Sequence, residues 1–217
     1  MGNKSYKKIY EKYKSIPENR EERLNYIFDK LNIKDKDIND IDNIIEDIKQ
    51  KRKKNKKKIS MVFYIVPEGI ARPRKGRNRF YVPNIQKFYD CMDDYLKQHK
   101  ELKDLYINTE CKIDLRYYLK IPSDMKKYEK ILAELKVIRS IKKPDWDNLG
   151  KGSDMLHRIM SDDSIIVDAR VRKFYSFKPR IEVTLFYYDV NCVEYYEKYL
   201  NKLMKKGDNK WILIVMK

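Results

Sequence analysis

Asp145, Asp147, Asp154, Asp162 and Asp163 stand close together in a very basic chain, and carboxylates so clustered can hold a divalent cation against a phosphodiester. The run is Lys142-Lys143-Pro144-Asp145-Trp146-Asp147-Asn148-Leu149-Gly150-Lys151, continuing to Asp154 and then to Ser161-Asp162-Asp163. Pro144 disfavours helical geometry at Lys143, so no helix begins before it. On an extended segment Asp145 and Asp147 project to the same side. Asp147 or Asn148 can cap the helix that follows, whose buried side is marked by Leu149, Met155, Leu156 and Ile159. Counted from Asp147, the residues Lys151, Asp154 and Arg158 follow at helical spacing on one face. Asp162 and Asp163 come after that helix and return to it only through tertiary structure. Converging carboxylates raise one another's pKa unless a cation neutralises them. Magnesium does so with oxygen ligands, lowers the pKa of a bound water and clamps charge developing on phosphorus. Each residue also has a purely structural reading: an N-cap aspartate, an Asp147–Lys151 surface pair, a polar turn from Ser161 to Ser164. Spacing alone leaves both readings open.

Cationic residues surround this cluster. Arg72, Arg74, Lys75, Arg77 and Arg79, with Phe80 and Tyr81 close behind, form a loop suited to bridging nucleic-acid phosphates while an aromatic ring stacks on an unpaired base. Lys142 and Lys143 would steer phosphate toward the carboxylates. Arg170, Arg172 and Lys173 alternate in part along a strand, and the basic run Lys51–Lys58 is either a solvated helix end or a phosphate-contacting segment.

The whole chain agrees with an anionic partner. Its 217 residues carry 50 Lys and Arg against 33 Asp and Glu, a net charge of +17. A hydrophobic fraction of 42% is enough for one domain with a real core. No apolar run reaches the length of a membrane span, and Met1-Gly2-Asn3-Lys4 opens no secretory signal. Cys91, Cys111 and Cys192 are single and unevenly spaced, and His99 and His157 are the two histidines, which argues against a zinc site or disulfide framework. The expected location is the cytoplasm.

The elements that must position the cluster follow from periodicity. Residues 1–58 read as a helical, basic extension, with Leu24, Ile27, Phe28 and Leu31, then Ile41, Ile44, Ile45 and Ile48, at helical spacing. Strands are expected over Ile59–Val66, Cys111–Leu119, Ile165–Phe174 and Arg180–Tyr188. Helices are expected after Asn84, with the face Ile85, Phe88, Tyr89, Met92, Tyr95 and Leu96, and over Ser123–Val137 with Ser123 as cap. Residues 190–217 read as a helix and strand appendage with Trp211–Met216 as its strand. Mixed order without strict alternation points to an α+β fold, a single mixed β-sheet with helices packed on it.

The run Asp145-x-Asp147-Asn148-x-x-Lys151, followed by Asp154-x-Leu156 and by Asp162-Asp163 ahead of a strand, resembles the signature of RusA-type Holliday junction endonucleases. The Arg72-Pro73-Arg74 segment, the helix after Asn84 and the strand Arg180–Tyr188 are similar to the same family, so the resemblance covers about 59–189. It implies a homodimer that nicks two strands of a four-way junction, with Mg2+ at each site and Mn2+ able to substitute. It further implies that Asp145, Asp147 and Asp163 are the metal ligands, with Asp162 an adjacent acid competing for the same coordination position. Lys151 would lie near the scissile phosphate and stabilise charge there, and Asn148 would cap the helix. Gly150 and Gly152 weaken a helix interior and depart from a regular helix at this point. Two other readings remain: a nuclease of the same fold acting on other branched DNA, and a DNA-binding accessory protein without catalysis.

Overall fold

Strand β4 (Cys111–Lys120) alternates buried and partly exposed side chains along most of its length, as a strand covered on one face must. It is the hub of the sheet. The computed structural model describes residues 16–30, 38–70, 74–75, 80–82 and 84–189. In it β1 (Lys56–Phe63), β6 (Arg180–Tyr188), β4 and β5 (Ile166–Ser176) form one four-stranded sheet in the order β1-β6-β4-β5. The β1–β6 and β6–β4 pairs are antiparallel, while β4 and β5 are parallel. The sheet is therefore mixed, and the fold is α+β as the sequence implies. A two-residue ribbon, β2 (Arg74–Lys75) with β3 (Phe80–Tyr81), stands apart from it.

The parallel β4–β5 pair requires a long crossover. That crossover contains the acidic cluster. It runs through α4 (Lys127–Glu134), α5 (Trp146–Gly150) and two 3-10 turns, Lys151–Arg158 and Asp163–Ile165. Helix α3 (Ile85–Gln98) packs against the first of these turns. Ile113, Leu115 and Tyr117 from β4 meet Phe88 and Met92 from α3 and Leu149, Met155, Leu156 and Ile159 from the crossover in one buried core. Burying such side chains stabilises by about 1.5–3 kcal/mol each, so the crossover is pinned by its apolar stripe and its polar residues face outward.

Two helices precede the sheet, α1 (Arg20–Lys30) and α2 (Ile38–Lys54), and they belong to a compact unit distinct from the one that begins at Asn55 and carries the sheet. Within the first unit Asn19 Oδ1 caps α1 by accepting from Glu21 N–H at 2.9 Å, and Arg20 pairs with Asp42. Leu31 lies outside the described residues.

Several boundaries differ from the periodic expectation. The basic run is split: Lys51–Lys54 end α2, whereas Lys56–Lys58 open β1 by pairing with Tyr188–Phe186. β1 therefore runs three residues earlier than Ile59–Val66, because backbone pairing to β6 overrides the apolar signal. Helix α4 begins after Lys126, not at Ser123. Glu129 reaches back to accept from Lys126 N–H at 2.8 Å, which fixes the first turn there. Asn84 does precede α3, but its side chain makes no cap bond to the helix and donates instead to Gly69 O at 2.9 Å. The expected helix and strand of 190–217 lie outside the described residues. No helix among the described residues is long and apolar enough to cross a membrane.

Candidate active site

The cap of α5 is Asp145, ahead of both Asp147 and Asn148. Its backbone is extended and its side chain makes no cap bond, so the carboxylate stays exposed. Asp147 lies in the first turn and is exposed as well. Neither carboxylate has a hydrogen-bond or ion-pair partner among the described residues, although the chain carries 50 basic side chains. The Asp147–Lys151 surface pair is not formed. Lys151 Nζ instead donates to Asn148 Oδ1 at 3.2 Å, so Asn148 positions the lysine and does not cap the helix.

The helical face from Asp147 to Arg158 does not persist, because the α-helix ends at Gly150 and the backbone tightens into a 3-10 turn from Lys151 to Arg158. A 3-10 turn has 3.0 residues per turn, so spacings of four no longer align. Arg158 leaves the cluster and pairs with Asp93 of α3 at 2.8 Å. Gly152 has a definite reason: a methyl group there would fall inside the Tyr117 hydroxyl and 3.3 Å from its ring carbon Cζ. That hydroxyl, buried under the crossover, donates to Leu149 O at 2.7 Å, and burial pushes its pKa well above the ordinary phenol value. β4 thereby grips the segment bearing Asp147, Asn148 and Lys151.

Two further ties hold this segment from outside the motif. Lys173 Nζ of β5 donates to Lys142 O at 3.0 Å and to Pro144 O at 3.1 Å, immediately before Asp145. Ile70 N–H donates to Asn148 O at 2.9 Å, and Gly69 lies so close to Pro144 and Asn148 that a Cβ would meet their Cβ atoms at 2.9 and 3.0 Å. The loop that continues to the arginine segment is therefore docked on the acidic motif.

The second part of the cluster lies at the turn into β5. Asp162 caps it, accepting from Ser164 N–H at 2.8 Å, and these Ser164 bonds hold its carboxyl below the usual range. Asp163, the first residue of the turn, is exposed. Asp154 is half-buried behind them. Burial raises its pKa, the Asp163 charge adds to that, and His157 and Lys151 oppose it. His157 is exposed.

Among the described residues no three His, Cys, Asp or Glu side chains stand together closely enough to hold a metal ion. Asp145, Asp147 and Asp163 are thus not drawn into a ready-made cage. The donors still fit magnesium in kind: they are carboxylate oxygens, two of them exposed and unpartnered, and magnesium typically takes one or two carboxylates, several waters and substrate phosphates.

Among the expected phosphate contacts, Arg74, Lys75, Lys142 and Lys143 are exposed. Arg72, Arg77 and Arg79 lie outside the described residues. Arg172 is engaged by Asp114 of β4, which Arg116 also meets at 3.0 Å, whereas Arg170 is exposed. Sequence reasoning missed Tyr117, Lys173 and the task of Asn148. An alternation count marks Tyr117 as core, but nothing local says that its hydroxyl meets a carbonyl 32 residues away.

The family model described as endodeoxyribonuclease RusA matches residues 64–186. A relative from Bacillus subtilis (strain 168), named uncharacterized protein YqaN, is 38% identical over 136 residues, which is 58% of this chain and 94% of its own length.

Proposed function

The chain belongs to the RusA family of endodeoxyribonucleases, and from that premise we propose that it is a magnesium-dependent, structure-selective endonuclease resolving four-way DNA junctions. In this reading residues 59–189 are the catalytic domain, and 1–58 and 190–217 are appendages. The protein acts as a homodimer in recombination or repair, because symmetric resolution needs two nicks. The observation that carries the reading is the pair Asp145 and Asp147, exposed and without a cationic partner among the described residues, in a chain of net charge +17. A pure DNA-binding surface gains nothing from bare carboxylates facing phosphate.

Asp145, Asp147 and Asp163 would hold the cation, with Mn2+ an acceptable substitute. Asp162, already engaged in capping its turn, would support Asp163. When bound, the cation supplies positive charge to the phosphate and acidifies a water. Lys151, aimed by Asn148, would place its ammonium against the oxygens that gain charge at phosphorus. Lys142 and Lys143 would draw in the strand, and Arg74 and Lys75, with Arg72, Arg77 and Arg79, would contact phosphates of an arm.

The test incubates the full chain with labelled four-way junction, flap and linear duplex, with Mg2+, with Mn2+ or with chelator, beside Asp147→Asn. Paired nicks confined to the junction and abolished by chelator are expected. Asp147→Asn should lose cleavage and keep or tighten binding, because repulsion of phosphate falls. Cutting of every branched substrate would replace the resolvase with a relaxed nuclease, and binding without cutting would sink both.

A further inference from the structure

Trp146 separates the two unpartnered carboxylates and is 63% exposed. In helical phase it shares a stripe with Leu149, which is fully buried, and with Gly150, which faces Val171 of β5. The stripe thus continues outward from the core and ends in an indole with no core beneath it. Tyr64, Tyr106 and Phe177 are about as exposed, so exposure alone does not set Trp146 apart; its place between the two candidate carboxylates does. Its mount is also fixed on both sides: Lys173 holds the carbonyls of Lys142 and Pro144 just before it, and Tyr117 holds the carbonyl of Leu149 just after it. The ring is therefore presented on a braced backbone beside the candidate catalytic carboxylates.

The neighbourhood selects its ligand. The flanking carboxylates are assigned to the cation and the exposed Lys142 and Lys143 can take adjoining phosphates, while the indole has no charge to pair with a phosphate, so the ring's partner is a base. An indole stacks on any base that offers a free face, regardless of sequence. Continuous duplex offers no such face, because each internal base is already stacked on both sides. A base at a branch point has lost one stacking neighbour.

We propose that Trp146 is a specificity-determining stacking platform that caps the open face of the nucleobase at a DNA branch point, next to the scissile phosphate. The proposal rests on the nuclease reading above and names what that site reads in its substrate. Stacking on an aromatic side chain is worth about 5- to 150-fold in affinity.

The chain has two tryptophans, Trp146 and Trp211, so Trp211→Phe leaves Trp146 as sole indole reporter. Its fluorescence is followed in chelator while four-way junction or linear duplex is titrated in. The junction should quench it and the duplex should not. Trp146→Ala should weaken junction binding by about 5- to 150-fold with duplex binding and the urea midpoint unchanged, and Trp146→Phe should recover most of the loss. Equal loss on both DNAs, no quenching, or a shifted midpoint would overturn the stacking role. If Trp146→Ala discriminates as well as the wild type while the wild type cleaves junctions, the stacking role fails and the nuclease stands. If the wild type with Mg2+ cleaves no branched DNA, the underlying reading fails and takes the proposal with it.

Discussion

Replacing Gly152 by alanine tests how the candidate site is braced. The added methyl would overlap the Tyr117 hydroxyl and press on Cζ at 3.3 Å. Tyr117 has no exposed surface through which to withdraw. Forced overpacking of this kind costs about 1–3 kcal/mol. Displacing the hydroxyl also breaks its buried hydrogen bond to the Leu149 carbonyl, now at 2.7 Å, adding about 1–3 kcal/mol. The expected loss for Gly152→Ala is therefore about 2–6 kcal/mol, a large part of the roughly 5–15 kcal/mol that stabilises an ordinary domain. With a urea slope of ~2 kcal/mol/M the midpoint falls by about 1–3 M. Tyr117→Phe alone removes only the hydrogen bond and should cost about 1–2 kcal/mol. In the double variant the methyl occupies the space the hydroxyl vacated, so its cost should be well below the sum of the two. Urea unfolding of the four proteins of this cycle, followed by far-UV circular dichroism, gives the coupling. Additivity within ~0.5 kcal/mol, or a Gly152→Ala protein as stable as the parent, would refute the bracing argument.

Asn148→Ala releases Lys151 while leaving the backbone bond from Ile70 in place. Single-turnover cleavage should fall about tenfold or more, as expected for a hydrogen bond to a charged group, with junction affinity little changed; a matching loss of affinity would contradict a positioning role. Asp114 is held below the ordinary carboxylate range: burial alone would raise it, but the hydrogen bonds and charges of Arg172 and Arg116 outweigh that. Its contribution is complete above the ordinary aspartate range near ~3.9 and is lost as pH falls through its lowered folded value. Asp114→Asn should cost about 1–3 kcal/mol at neutral pH and flatten the acid limb of the stability profile, and an unchanged limb would remove this ion cluster from the account. Arg74→Ala should make the slope of log Kobs against log salt shallower by about 1 for each phosphate that is no longer neutralised; an identical slope would take the ribbon of β2 and β3 off the DNA surface.

The local sequence determines the kind of chemistry and the kinds of elements. Side-chain alternation gives β4 and β6 nearly to the residue, since one covered face imposes a period of two along a strand. The aspartate spacing, with so many lysines and arginines around it, offers oxygen donors suited to a hard cation and a polyanionic substrate, and leaves the structural reading of each residue open. These are properties of residue type and short-range order. What each polar group does was settled by the local backbone path, and that path is in turn held by contacts between residues far apart in sequence. Asn148 could cap a helix on spacing alone, yet the chain entering from Pro144 makes Asp145 the cap and frees Asn148 to hold Lys151. Asp162 and Asp163 are alike in sequence, but the turn into β5 engages Asp162 with Ser164 and leaves Asp163 exposed. The helical line from Asp147 to Arg158 is broken because Gly152 must fit beneath a tyrosine 35 positions earlier in the chain. Periodicity reports which side of an element is covered. It carries no information about which atom does the covering, and that atom decides whether a carboxylate is spent on the fold or left for the substrate.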